Sequence, residues 1–281
     1  MATFESAPVS STRLDVAMVT RGMTRSRNLA AELIRDGKVT VDGRPIDRPA
    51  SRVHPDTTIQ LHIDRPVRVG RAGHKLDIAF TYFGAIDPEP LQVTGQHCLD
   101  IGASTGGFTQ VLLEHGAAHV TALDVGHNQL VPELAADPRV RDLSGTNIRD
   151  VSATQINGPF PVIVADLSFI SLRLVLPTIA SLLSPGGQAV VLVKPQFEAG
   201  RQRLSKQGVV RDPRDRRTAI LNVIEAVRDE GLFPRAVIGT GIPGGAGNHE
   251  YLMWVTTRPE HALVDEAAAV DDAIHHFGRT R

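Results

Sequence analysis

Charged residues at the ends of apolar runs are the groups in this chain best placed to do chemistry. Asp166 follows "PVIVA", Lys194 follows "AVVLV", Glu250 precedes "YLMWV", and Lys75 stands at the head of "HKLDIAFTYFG". Such runs are buried in a folded protein, and a charge adjoining them is costly unless it is paired or put to use. Two lysines and two carboxylates in this setting read as a structural ion-pair network. They read equally as a device that orients a hydroxyl and stabilises the charge developing on it. On these residues alone both readings stay open.

A second stretch, "HCLDIGASTGGFTQVLLEHG", carries Asp100 ahead of a Gly-rich turn. Gly102-Ala103-Ser104-Thr105-Gly106 is a literal G-x-S-x-G, the turn that presents a serine nucleophile in α/β hydrolases. That chemistry also needs a Gly-rich oxyanion loop before the serine and an acid, then a histidine, after it. No such loop precedes Ser104, and His249 is the one late histidine inside the sheet-forming region. A dinucleotide fingerprint would need glycine where Ser104 stands. A ligand with ribose, ammonium and carboxylate groups but no phosphate fits better, and S-adenosylmethionine is one. Asp124, at the end of the next apolar run, suits ribose hydroxyls, and Asp100 can orient the loop or meet the ammonium. No His/Cys cluster has metal-ligand spacing, so no metal is expected.

These residues must be carried by an alternation of strands and helices. Strand runs are "HCLDIG", "HVTALDVG", "RVRDL", "PVIVADLSF", "GGQAVVLVKPQF", "PRAVIGTG" and "EYLMWVTT". Between them lie helical stretches such as "GFTQVLLEHG", "LRLVLPTIASLL" (despite Pro177) and "RRTAILNVIEAVRDEG". Near-continuous Val/Leu/Ile runs alternating with helices predict an α/β fold, a mostly parallel sheet covered on both faces, with an antiparallel pair formed by the last two strands. Ligands of such sheets bind at the C-terminal ends of the strands, where the charged residues fall.

The chain ahead of this region differs in charge. Of 281 residues, the first 75 carry 13 Lys/Arg against 8 Asp/Glu, a net of +5, whereas the remainder nets −6. "TRLDVAMVTRG" reads as a short helix with Leu14, Ala17 and Met18 inward. "SRNLAAELIRDG" reads as a second, capped by Ser26 and stopped by Gly37. "KVTVDGRPI" alternates Val39 and Val41 and turns at Asp42-Gly43, a hairpin signal. Arg13, Arg21, Arg25, Arg27, Arg35, Lys38 and Arg44 decorate this unit and suit the phosphates of a folded RNA. Later, "AGRQRLSKQGVVRDPRDRR" (199–217) holds seven Lys/Arg against two Asp, and Arg201, Arg203 and Lys206 are expected to grip phosphates beside the site. No run is long enough to span a membrane, and no secretory leader is evident. With a single cysteine, Cys98, set in an apolar strand, the expected location is the cytoplasm.

The order of elements in "RLDVAMVTRGMTRSRNLAAELIRDGKVTVDGRPI" closely resembles the small RNA-binding module first described in small-subunit ribosomal protein four. Lys75, Asp166, Lys194 and Glu250 are similar in order and context to the K-D-K-E tetrad of FtsJ-like ribose methyltransferases. "DIGASTGGFT", "DVGHNQL", "TNIR", "DLSFISL", "LVKPQFE" and "GNHEY" look like the TlyA family, which joins the two modules. This resemblance implies a Rossmann-like class I methyltransferase sheet behind a small α+β RNA-binding domain. It implies methylation of a cytidine ribose in ribosomal RNA of the small or large subunit, with S-adenosylmethionine as methyl donor. It also implies that Gly102, Ala103, Ser104, Gly106, Gly107, Phe108 and Asp166 shape the methionine pocket, that Asp124 meets the cofactor ribose and that Asn147 approaches the adenine. Lys194, desolvated between Asp166 and Glu250, is expected to orient the attacking hydroxyl. The expected divisions are a disordered segment over 1–11, the RNA-binding domain over 12–63, a linker over 64–74, the catalytic domain over 75–258 and a helical tail over 259–281. Members of the family are also labelled hemolysins, yet nothing in the sequence resembles a pore or a lytic helix. The alternative is a non-catalytic RNA-binding factor in ribosome assembly.

Overall fold

Two units follow one another along the chain, Met1–Val67 and Arg68–Arg281. The computed structural model describes residues 11–24, 26–62, 68–87 and 89–276. Residues 1–10 of the segment expected to be disordered, Arg25, and residues 64–67 of the expected linker lie outside the described residues.

In the first unit, β1 (Thr12–Arg13) leads into α1 (Leu14–Thr20) and α2 (Arg27–Arg35). Ser26 caps α2 by accepting a hydrogen bond from the Leu29 amide. Next come β2 (Val39–Val41), β3 (Arg44–Pro45), β4 (Arg52–Val53) and β5 (Ile59–Leu61). β2 pairs antiparallel with both β3 and β5, and β1 with β4. The hairpin turns at Asp42-Gly43, both at positive φ (50° and 76°), as a tight two-residue turn requires. Leu14, Ala17, Met18, Ala30, Leu33, Ile34, Val39 and Val53 close the core, which is the inward pattern the sequence predicts.

The second unit opens with α3 (Arg71–Ile86), so the helix already covers 71–74, where a linker is expected. Arg68 is tied to this unit as well, by ion pairs to Asp77 and Glu114. The second unit therefore starts at Arg68 rather than Lys75. Its remaining elements are β6 (His97–Ile101), α4 (Gly107–Glu114), β7 (His119–Asp124), α5 (Pro132–Ala135), β8 (Val140–Ser144), β9 (Phe160–Ala165), α6 (Leu176–Leu182), β10 (Leu183–Val193), α7 (Pro195–Glu198), α8 (Pro213–Asp229), β11 (Phe233–Gly239), β12 (Tyr251–Thr256) and α9 (Glu266–His275). Pro177 occupies the first turn of α6, where a missing N–H costs nothing. α9 is no loose tail, because Val270 and Ala273 are buried in the main core.

The sheet order is β11-β12-β10-β9-β6-β7-β8. β8, β7, β6, β9 and β10 run parallel, and β12 runs antiparallel to both β10 and β11. Along β10, Ala189, Val191 and Val193 enter one apolar cluster while Val190 and Leu192 enter the other. Both faces are thus covered, which explains why the strand reads as an unbroken apolar run. The reversal of β12 also matters for function. Its first residue, Tyr251, pairs with Val193 at the end of β10, so Glu250 emerges at the same edge of the sheet as Lys194.

Candidate active site

The C-terminal ends of β6, β9 and β10 open into a cleft of about 1040 Å³. Lys75, Gly102, Ala103, Ser104, Gly107, Phe108, Asp166, Lys194 and Glu250 all line it. Glycine is required at 102 on two counts. Its φ is +81°, and a Cβ there would stand 2.5 Å from the Asp166 carbonyl oxygen, because β6 and β9 run side by side up to this point. At Gly107 the start of α4 meets the first turn of α3, where a Cβ would come within 2.9 Å of the Gly73 amide. That contact is what brings Lys75 over the cleft.

The four charged residues form one chain of alternating sign. Lys194 Nζ lies 2.6 Å from Asp166 Oδ1, Asp166 Oδ2 lies 3.8 Å from Lys75 Nζ, and Lys75 Nζ donates to Glu250 Oε2 at 2.5 Å. Lys75, Lys194 and Glu250 are buried. Glu250 therefore partners Lys75, not Lys194 as the sequence suggests. The second partner of Lys194 is Ser168, whose Oγ accepts at 2.9 Å. Sequence reasoning passes over Ser168, although a hydroxyl two residues after Asp166 on an exposed turn is the available signal. Lys194 donates to Ser168 and pairs with Asp166 by charge, so its ammonium retains donor capacity for a ligand.

The other predicted carboxylates do not face the cleft. Asp100 is fully buried on the α4 side of β6, where Thr109 Oγ1 donates to its Oδ2 at 2.6 Å. Burial pushes its carboxyl up to about 7, reinforced by the charges of Asp166 and Asp124. Of the two roles expected for Asp100, orienting the loop or meeting the ammonium, the structure shows an anchor to α4 through Thr109, which lies outside the cleft wall. Asp124 accepts from the Ser104 amide at 2.8 Å and the Gly126 amide at 2.7 Å, which fixes the Gly-rich turn to the end of β7. Gly106 lies under Leu130 and Leu134, away from the cleft wall. Asn147 uses its side-chain oxygen to cap a short turn through the Arg149 amide. The loop before it bonds to the Asp124 loop through Gly145 and Thr146. Val125, 66% exposed beside Asp124, is an apolar surface that the sequence reading missed.

On the opposite wall Phe169 is 92% exposed with φ +65°, its ring 5.4 Å from that of Phe197. A non-glycine residue in that backbone region carries strain and is held by its surroundings. Arg201 lines the cleft, Lys206 is exposed outside it, and Arg203 is engaged by Asp215. Arg216, from the same basic run, is buried and donates to the Val210 and Arg211 carbonyls. Asn248, also buried, bonds Gly208 and Val210 and so joins the basic segment to the turn before Glu250.

In the first unit, several arginines expected on phosphates have partners within it. Arg13 and Arg27 both contact Asp15, which holds that carboxyl down to about 2, chiefly through the Arg13 hydrogen bond. Arg21 donates to the carbonyls of His54, Pro55 and Thr57. Arg35 and Arg44 are exposed and Lys38 is half-buried.

Among the described residues no histidine lines the cleft, so none of them offers Ser104 a histidine base as the hydrolase reading needs. Residues 68–257 match the model of the FtsJ-like methyltransferase family. The chain belongs to that family. Residues 12–59 match the S4 domain. The 16S/23S rRNA (cytidine-2'-O)-methyltransferase TlyA of Mycobacterium tuberculosis is 44% identical over 264 residues, spanning 94% of this chain and 96% of the relative. Hemolysin A of Brachyspira hyodysenteriae is 41% identical across 85% of this chain and 98% of its own length. Among solved structures, a candidate hemolysin from Streptococcus thermophilus superposes with a TM-score of 0.71 at 34% identity, covering 95% of this chain and 96% of that one. The protein is thus a methyltransferase with an S4 module. Among the described residues, no helix is long and apolar enough to cross a membrane.

Proposed function

We propose that the protein transfers a methyl group from S-adenosylmethionine to the 2'-hydroxyl of a cytidine in ribosomal RNA, in the cytoplasm, on one or both ribosomal subunits. The observation that carries the reading is the alternating Lys194–Asp166–Lys75–Glu250 chain beside a backbone-lined cofactor turn in one cleft. The residues fit this cofactor. The Gly102–Phe108 turn would offer main chain to the methionine end, Asp124 would fix that turn beside the ribose through the Ser104 and Gly126 amides, and Val125 with Asn147 would provide an apolar face and an amide for adenine. When bound, the cofactor supplies an electrophilic methyl carbon on a sulfonium.

The residues of the chain do the rest mainly by positioning, which can be worth effective molarities of ~10⁵ M or more. A Lys194 N–H not taken by Ser168 orients the ribose oxygen and stabilises charge on it. Asp166, held between two lysines, fixes the Lys194 ammonium, and Glu250 with Lys75 holds Asp166 in turn. With the cofactor held by the Gly102–Phe108 turn, its methyl carbon would face the ribose oxygen that Lys194 orients, and the hydroxyl proton would leave to water at the open mouth. Phe169 and Phe197 offer a stacking face to the target base, while Arg201 and Lys206 meet phosphates. The S4 module, through Arg35, Lys38 and Arg44, adds affinity for rRNA outside the cleft.

The test is transfer of tritium from methyl-labelled S-adenosylmethionine to small subunits, large subunits and naked rRNA, with Asp166→Ala alongside. Label in an alkali-resistant dinucleotide, lost in the variant, is the expected result. Cofactor binding with no label in any RNA would overturn the substrate. Absence of cofactor binding would leave the non-catalytic assembly factor.

A further inference from the structure

The loops following β9 and β10 are crossed by two sets of ties. Toward the cleft run the Asp166–Lys194 and Ser168–Lys194 contacts and the Phe169–Phe197 ring pair. Behind them stands Glu198, at the end of the single turn α7, 9% exposed and outside the cleft wall. Both of its oxygens are committed to the other loop: Oε2 accepts from Ser171 Oγ at 2.6 Å, and Oε1 from the Leu172 amide at 2.8 Å. Ser171 Oγ accepts in turn from the Arg173 amide.

A carboxylate is an unusual choice for this place. Burying a charge is costly, and here it is met by a hydroxyl and an amide, with the Arg173 cation acting only at longer range. What a carboxylate supplies is two acceptors on one rigid plane, which fixes the distance and the register of two loops together. The strained Phe169 lies two residues ahead of the tied segment, and strain of that kind persists only where the surroundings over-determine it. We propose that Glu198 is a positioning residue for the RNA side of the cleft, holding the 168–174 loop against α7 so that Phe169, Phe197 and Lys194 keep one geometry. This rests on the methyltransferase reading above; the tie itself does not.

The experiment uses the full chain with Glu198→Ala and Glu198→Gln. Four quantities are measured: S-adenosylmethionine affinity by calorimetry, kcat and KM for ribosomal subunits, and amide hydrogen exchange in the 168–174 segment. For Glu198→Ala the expected result is cofactor affinity within about two-fold of wild type, with kcat/KM for RNA lower by about ten-fold or more. The Leu172 amide should exchange faster. Glu198→Gln keeps an acceptor for that amide and should recover to within about three-fold of wild type. Unchanged kcat/KM in a folded Glu198→Ala protein would overturn the proposal. So would a loss of cofactor affinity equal to the loss of activity, which marks a general structural defect. Should Glu198→Ala not fold, full activity of Glu198→Gln with exchange at the wild-type rate supports the tie, and unprotected Leu172 in a fully active Gln variant refutes it. If the wild-type protein methylates none of these RNAs, the substrate reading fails, while exchange at Leu172 still decides the tie.

Discussion

The two walls of the cleft are built on opposite plans. On the wall proposed for the cofactor main chain faces the cavity, and the carboxylates Asp100 and Asp124 are turned into the protein, on Thr109 and on the Ser104 and Gly126 amides. On the wall proposed for RNA the reverse holds. Lys194, Phe169, Phe197 and Arg201 project from their loops, and the brace, Glu198, is hidden behind them. A backbone surface suits a ligand that is always the same molecule. Side chains on short loops suit a substrate that must be gripped and released.

Substitutions sharpen this contrast by hitting one wall at a time. The largest effect is expected for Asp166→Asn, which removes the charge between the two lysines: methyl transfer should fall by about 10²–10³-fold, read as single-turnover rate with cofactor saturating. A loss below ten-fold would mean that Asp166 is only structural. Gly102→Ala attacks the opposite wall, since it forces a Cβ against the Asp166 carbonyl at positive φ. It should cost about 1–3 kcal/mol of stability and abolish tight cofactor binding, measured by thermal unfolding and calorimetry. Phe169→Ala should leave cofactor affinity alone and raise KM for RNA by about ten-fold, in line with about 1–3 kcal/mol per stacked base. Equal losses in both affinities would erase the distinction between the walls.

How much of this was legible in the sequence depended on what each residue answers to. The strands were legible because five-residue apolar runs have no other place to go, and the four cleft charges because they terminate those runs. The pairing among them was not, since it depends on β12 running backwards between β10 and β11. Nor was the direction of Asp100. Its neighbours Cys98 and Leu99 face opposite covered sides, and period two puts its side chain under α4 whatever the loop above binds. Arg21 looks like a surface cation, yet the carbonyls that receive it come from residues 54–57, more than thirty positions away.

Two smaller effects complete the comparison. Asp100 titrates near 7 in the fold against an ordinary value near 4. The folded state therefore binds the extra proton across that window, and stability should fall as pH rises from about 4 to 7, at up to about 1.4 kcal/mol per pH unit. Asp100→Asn should flatten this slope in urea melts and stabilise the protein at pH 8. An unaltered slope would place the titration elsewhere. Among the basic residues, Arg201→Ala should lower the salt dependence of RNA binding by about one counterion, and Arg203→Ala by less, because Asp215 already neutralises it.

Lys75 and Glu250 touch across 175 positions of chain. During synthesis the cofactor turn, Asp166 and Lys194 all leave the ribosome before the last strand exists. Until that strand slides in beside β10, Lys75 has no Glu250 and the charge chain is one link short. A chain cut off ahead of residue 250 therefore lacks both the strand between β10 and β11 and the carboxylate that closes the charge chain.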